Sequence, residues 1–287
     1  MASEEFTLDF KTQHEWGTLA VLDFFLAGGG AGAFLMGLLL DVYPAVIIGV
    51  IGVALGAIAL LADLGRPERF WRALSHPGTS WISRGALLVG VFMVFAVIHI
   101  LLTIANPGTN DAAIKVIAGI AAVGVMAYTG FLLSFSPAIP AWHSTLLPVM
   151  FIGSSLITGM GAILVVGALA DRLPNEARGS WEQTGLVLMI SSLILALAYI
   201  TTMLSSTLAA RQAIQQLTKG DLSLPFLGGV VLAGLVAPLV IVTILYLGNV
   251  SLASASVAAA IAGILLIVGG ISLRHSLLRA GVYQPLV

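Results

Sequence analysis

The chain has 287 residues, 59% of them hydrophobic and only 9% charged, with a mean hydropathy of +1.07 and a formal net charge of −1. So few charges cannot cover the surface of a soluble domain, and the composition defines an integral membrane protein. The chain has no basic tract, which removes nucleic-acid binding, and no cysteine, which removes disulfides, thiolate metal sites and any iron–sulfur cluster held by its own side chains.

Residues 1–16 are polar and acidic, with neither the basic start nor the cleavage site of a signal peptide, so the first apolar helix is expected to be retained as an anchor. Crossing a hydrocarbon core of about 30 Å takes about 20 helical residues. Eight segments meet that length, at 16–40, 44–64, 85–105, 113–135, 145–170, 183–208, 224–247 and 253–275. They predict an all-α fold of eight transmembrane helices in a single membrane domain, residues 1–287, with both termini on one side of the membrane. The first segment carries Ala27–Ala33, A-G-G-G-A-G-A, and the second Gly49, Gly52 and Gly56. No strand precedes the glycine run, so it is not a phosphate loop; small residues at this spacing let helix backbones approach closely in lipid. Phe151–Ala162 in the fifth segment loosely echoes Phe25–Ala33 in the first, which predicts parallel repeat halves, 1–143 and 144–287, folded as two four-helix bundles. Ala209–Ser223 reads as a helix end lying in the interface, with Leu208, Ile214 and Leu217 on one side and Arg211, Gln215 and Lys219 around it.

Charge is concentrated in one connection. Ala62–Gly85 holds Asp63, Arg66, Glu68, Arg69, Arg72 and Arg84 together with Trp71 and Trp81, and it marks the place where this chain meets something polar. Nine Lys and Arg residues, Arg274 and Arg279 among them, fall on the side of the termini, against Lys115, Arg172 and Arg178 on the other, which favours termini in the cytoplasm. Four of the nine belong to the charged connection itself, where a partner rather than the membrane could hold them.

An acid at the centre of a membrane helix costs about 2.5 to 3.5 kcal/mol, which makes each one a functional candidate. Asp23 lies about 10 Å into the first helix at 1.5 Å per residue, and Tyr128 lies at a similar depth near the end of the fourth. Onto the same face open His14 and Trp16, Asp63 and Arg66, and Trp142 and His143. An acid, a phenol, an imidazole and a guanidinium beside a pair of small-residue helices make a cleft for a ligand with a polar head and an apolar tail. A quinone has that form: its carbonyls need hydrogen-bond donors and its redox chemistry needs a proton acceptor. Each residue also has a plainer reading: Asp63 and Arg66 as a local i, i+3 pair, Tyr128 as a core tyrosine, and His14 and His143 as interfacial side chains. Asp23 is the one whose plainer reading, an unpaired buried acid, is costly.

Axial haem ligands must face each other at one depth, and His99, the one histidine within a span, has no histidine at its own depth, so no haem is expected. Between the two faces lie mainly hydroxyls such as Ser154, Ser155 and Thr158, while Asp41, His99, Asp111 and Lys115 furnish the far face thinly, so strong ion pumping is not expected. A secondary transporter would need broken midplane helices with ion ligands, and neither Pro148 nor Pro238 sits beside an acid. A purely structural membrane anchor without quinone chemistry would explain the charged connection but not Asp23 and Tyr128.

The blocks A-D-L-G-R-P-E-R-F-W-R-A-L and P-G-T-S-W-I-S-R-G-A, with F-F-L-A-G-G-G-A-G-A-F before them and Y-T-G-F-L-L-S and A-I-P-A-W-H-S-T-L-L-P-V-M-F after, stand in one order within the first 165 residues. Together they resemble the polysulfide reductase membrane subunit and nitrite reductase NrfD family. The resemblance implies a quinone-reacting membrane anchor of a prokaryotic respiratory complex in the cytoplasmic membrane, not catalytic on its own. It also implies a docked ferredoxin-like iron–sulfur subunit serving a molybdopterin or multihaem catalytic subunit, with the quinone pocket, menaquinone or ubiquinone, on the docking face. On this resemblance Tyr128 would hydrogen-bond a quinone carbonyl, Asp63 and Arg66 would line or brace the pocket mouth, and His14 would contact the head group. Asp23 stands where the family more often has a tyrosine or another residue, so its location matches and its role is its own. Partners of the family dock on the periplasmic side in many systems, opposite to the side that the charge count favours.

Overall fold

Each long apolar run folds as a helix in a computed structural model that describes residues 11–170, 180–248 and 255–284. Arg172 and Arg178 of the charge count lie outside the described residues. Eight helices among these residues are long and apolar enough to cross a membrane: α1 (Thr18–Leu39), α2 (Tyr43–Asp63), α3 (Trp81–Ala105), α4 (Ala112–Ser134), α5 (Leu146–Ala170), α6 (Ser180–Leu204), α8 (Leu224–Leu247) and α9 (Ser256–Arg279). The chain is an all-α integral membrane protein.

The order of packing follows from side-chain size. Helix α1 is the most enclosed span, touching α2, α4, α5 and α9, because its glycine run lets neighbours reach its backbone. A Cβ on Gly30 would sit 2.7 Å from the Gly49 carbonyl oxygen of α2. On another face, Gly32 meets the backbone of Ser155 and Gly159, so the small-residue stretches of α1 and α5 lie directly against each other. The turn into α2 closes with Asp41 at φ 55°, and Val42 N–H donates to the Gly37 carbonyl at 2.8 Å, a left-handed helix stop that Asp tolerates better than most residues.

Four details depart from the expectations drawn from sequence. Helix α3 starts at Trp81 rather than 85, because the Ser80 hydroxyl accepts from Ser83 N–H at 3.4 Å and caps it. The connection before it contains a 3-10 helix, Pro67–Leu74, with proline at its start. Ala209–Ser223 is not the tail of α6: a separate helix, α7 (Leu208–Thr218), capped by Thr207, buries Ala209, Ala213, Ile214 and Leu217 against protein. The first part of α8, Leu224–Val236, is π-helical, and there Gly234 packs onto Gly269 of α9.

The termini fasten to each other. Gln13 is buried, its N–H donates to the Gly281 carbonyl at 2.9 Å, its amide donates to the Leu278 carbonyl at 2.7 Å, and its side-chain oxygen accepts from Trp16 N–H at 2.9 Å. Tyr283 N–H donates to the Lys11 carbonyl at 2.9 Å and Gln284 N–H to the Ala138 carbonyl at 3.0 Å. This clasp sets Trp16 over the end of α1.

At the opposite end, His99 Nδ1 of α3 shares a hydrogen bond with the buried Asp111 carboxylate at the start of α4, and Lys115 Nζ lies 3.1 Å from its other oxygen. His99, without a histidine partner, therefore has a carboxylate one. Burial works to raise the Asp111 carboxyl, but the hydrogen bonds and charges of His99 and Lys115 outweigh it and hold the group below its ordinary value of 3.8. A depressed folded pKa stabilises the fold above the unfolded value and ceases to do so as pH falls through the folded value. Asp111→Asn is accordingly expected to cost about 2 kcal/mol in thermal unfolding, mostly through His99, since Lys115 is half exposed. That deficit should be flat from neutral pH to about pH 5 and shrink only below the ordinary carboxyl value. A deficit that did not shrink below that value would mean that the pair is not held as an ionised carboxylate.

Candidate functional site

A cavity of about 720 Å³ opens at the end of the bundle that carries the termini, bounded by α1, α2, α3, α4 and the 3-10 helix. Its walls are almost wholly apolar, and Asp23, Tyr128, Asp63 and Glu15 are the groups in them with ionisable side chains. Asp23, 2% exposed, and Tyr128, 4% exposed, line the cavity as buried residues, whereas Asp63 and Glu15 are exposed at the mouth.

Local sequence explains each position. Asp23 faces the cavity one residue before Phe24, a helix step that turns Phe24 towards Phe151 at 6.2 Å and Trp16 at 5.7 Å. Tyr128 lies flat against α3 because residue 85 is glycine: a Cβ there would fall 2.6 Å from the ring's Cε2. The mouth is roofed by the charged connection. Phe70 and Leu74 of the 3-10 helix turn into the cavity, while Trp71, 64% exposed, and the exposed Arg69 and Arg72 turn out. Trp81 stacks on Phe131 of α4 at 4.6 Å and 10°, which ties this roof to the rest of the wall.

Of the residues expected at the site, the cavity brings together Asp23, Asp63 and Tyr128, with Trp16 beside them. It does not include His14, Arg66 or His143. His14 is exposed and pairs with the Thr12 hydroxyl at 3.2 Å, and His143 Nδ1 pairs with the Ser134 carbonyl at 2.7 Å, each ring being used within its own loop. Arg66 is exposed and makes no i, i+3 ion pair with Asp63; the ion pairs among the described residues are both on Asp111. Arg84 braces its own connection, donating to the Pro77 carbonyl at 2.8 Å and the Gly78 carbonyl at 2.7 Å and covering the Trp81 ring at 4.6 Å.

Two important residues are missed by sequence reasoning. Gln13 positions Trp16, and nothing in a polar terminal segment singles it out. Arg274, counted with the surface cations, is wholly buried. Its guanidinium donates to the Phe24 carbonyl at 3.1 Å, the Ser154 hydroxyl at 2.8 Å, the Gly270 carbonyl at 2.9 Å and the Ser155 hydroxyl at 2.8 Å, joining α1, α5 and α9 behind the cavity wall. The pair Ser154-Ser155, adjacent polar residues inside an apolar span, is the available signal.

The fold and cavity define a class: a polytopic membrane protein with a large apolar chamber at one end, furnished with a buried acid and a buried phenol. Residues 8–285 match the family described as "Polysulphide reductase, NrfD", and the chain belongs to that family. It is 25% identical over 252 residues to a polysulfide reductase component of Wolinella succinogenes, covering 76% of this chain and 79% of that relative. To the protein NrfD of Escherichia coli it is 31% identical over 180 residues, 54% of this chain and 55% of the relative. A tetrathionate reductase component of Salmonella typhimurium is 31% identical over 144 residues, 47% of this chain and 42% of the relative.

Proposed function

We propose that this chain is the membrane subunit of a respiratory oxidoreductase complex in a prokaryotic cytoplasmic membrane, binding quinone or quinol in the cavity between α1, α2, α3 and α4 and exchanging electrons with an iron–sulfur partner. The observation that carries this reading is the cavity itself: about 720 Å³ of apolar space, within the usual range of small-molecule pockets, with Asp23 and Tyr128 as its buried polar groups. Bound there, a quinone supplies a carrier of two electrons and two protons. The chain supplies the rest of what that chemistry needs. The Tyr128 hydroxyl donates a hydrogen bond to a carbonyl oxygen, the Asp23 carboxyl holds or takes up a proton, and Asp63 and Glu15 at the mouth lead protons to solvent. Trp16 and Phe24 flank a planar ring.

Since the chain has no cysteine, the electrons come from or go to a cluster in another subunit, and the exposed Arg66, Arg69, Arg72 and Trp71 over the cavity form the surface on which that subunit sits. The catalytic subunit beyond it, molybdopterin- or multihaem-containing, is assigned on family grounds.

Tyr128→Phe tests this reading with little steric change. Loss of one hydrogen bond to the ligand is expected to raise KM for quinol about tenfold in the assembled complex, with partner co-purification unaffected. An unchanged KM, in a complex from which no quinone can be extracted, would sink it.

A further inference from the structure

Two tyrosines are buried among the described residues, and they are held in different ways. The Tyr199 hydroxyl of α6 donates to the Ala141 carbonyl at 2.7 Å, the kind of bond that a core tyrosine ordinarily has. The Tyr128 hydroxyl of α4 makes no hydrogen bond to any described residue. Where that hydroxyl stands is therefore set by the packing of its ring.

That packing is one rung of a ladder between α3 and α4. Trp81, at the start of α3, stacks on Phe131 at 4.6 Å. Four residues on, Gly85 receives the Tyr128 ring, and three further Leu88 covers Gly124, where a Cβ would fall 2.6 Å from Leu88 Cδ2. Residues 81, 85 and 88 share one face of α3, and 131, 128 and 124 one face of α4, at the three- and four-residue spacings of a helix. The two glycine holes are not equivalent. Gly124 meets the end of a flexible side chain that does not line the cavity, whereas Gly85 meets a rigid ring that does. A Cβ on Gly85 would fall 2.6 Å from the ring's Cε2 and 3.0 Å from its Cγ. The ring could make room only by swinging off α3, and the hydroxyl, furthest from the pivot, would move most.

We propose that Gly85 is the positioning residue for the Tyr128 phenol: the hole it leaves in α3 fixes where the hydroxyl meets a quinone carbonyl. The proposal rests on the quinone reading given above and adds how the donor is aimed without a protein bond to its oxygen. A hydroxyl tied as that of Tyr199 is would have to give up its bond to serve a ligand, and Tyr128 has none to give up. Hydrogen bonds weaken steeply as their angle closes, so a donor held only by packing must be packed closely.

The test is a double-mutant cycle on the full-length protein in lipid nanodiscs. Menadione is the probe, and its Kd is read from quenching of tryptophan fluorescence, since Trp16 lines the cavity. Gly85→Ala is expected to weaken binding about tenfold, the loss of one hydrogen bond, but less than about twofold when made on Tyr128→Phe. Gly124→Ala crowds the same two helices at Leu88; it is expected to lower Tm and to leave Kd within about twofold of wild type. If Gly85→Ala does not fold, Phe131→Leu, which loosens the ladder without adding an atom, carries the same cycle. Its weakening is expected to be about threefold and confined to the chain that keeps Tyr128. Three results would overturn the proposal: wild-type affinity in the variant that carries the cycle, a weakening that persists in full on Tyr128→Phe, or an equal weakening by Gly124→Ala. In each, wild-type binding of menadione would still uphold the quinone site. Failure of the wild type to bind menadione would remove the quinone reading, and the proposal with it.

Discussion

Asp23→Asn is expected to lower quinol-linked turnover of the assembled complex about a hundredfold, the usual scale for removing a positioned proton acceptor. Asn has the volume of Asp and keeps hydrogen-bonding atoms in the cavity, so the packing of α1 on Phe151 and Trp16 should survive. The effect should fall mainly on kcat, because the amide can still contact a ligand and cannot carry its proton. That separates Asp23 from Tyr128, whose removal is expected in KM. The measurement is steady-state turnover in membranes containing the whole complex, with partner co-purification as the check on assembly. Normal turnover would remove Asp23 from the mechanism and leave it as a buried acid without a hydrogen-bonding partner among the described residues, a costly thing for a membrane helix to keep.

Asp23 is legible in the sequence because an acid inside an apolar run has no cheap explanation, and Tyr128 because its depth matches. Depth along a helix follows from residue count at 1.5 Å per residue, and both residues indeed line one cavity. Azimuth does not follow from it. His14, Arg66 and His143 share that face of the membrane, yet loop geometry turns both histidines onto neighbouring polar atoms and leaves Arg66 exposed outside the lining. The eight spans are predictable within a few residues because hydrocarbon thickness dictates their length. The start of α3 is harder to read because its cap is a single serine in an already polar stretch. His99 illustrates a third kind of loss. Its partner Asp111 is twelve residues away across a turn, and no period of a helix connects them; only the direction in which α4 returns does.

Arg274→Met is expected to destabilise the protein by about 2 kcal/mol even though it removes a buried charge, and the reason is the number of bonds lost. Placing arginine at the centre of a membrane helix costs about 2.5 to 3.5 kcal/mol, and replacing a buried ionic group by an apolar one of similar volume is often neutral or stabilising. Here, however, the guanidinium makes four hydrogen bonds to three helices and lies against the rings of Phe25, at 6.0 Å, and Phe151, at 5.5 Å. Bonds from a charged donor contribute about 1.5 to 3 kcal/mol each, so four of them exceed the insertion cost. Part of the loss is recovered, because the freed hydroxyls of Ser154 and Ser155 can turn back to carbonyls of their own helix. Arg274→Ala adds an empty volume between α1, α5 and α9 and should cost about 4 kcal/mol, while Arg274→Lys, a point charge that cannot span three helices, should fall between the two. Thermal unfolding of the purified protein in detergent ranks the three. A methionine variant as stable as the wild type would mean that desolvation outweighs the hydrogen bonds, and that this cation is kept for something other than the α1–α5–α9 junction. Because the Phe24 carbonyl is one of its acceptors and Phe24 lines the cavity, the same variants should also loosen that wall of the cavity. Their KM for quinol should rise in the order of their lost stability.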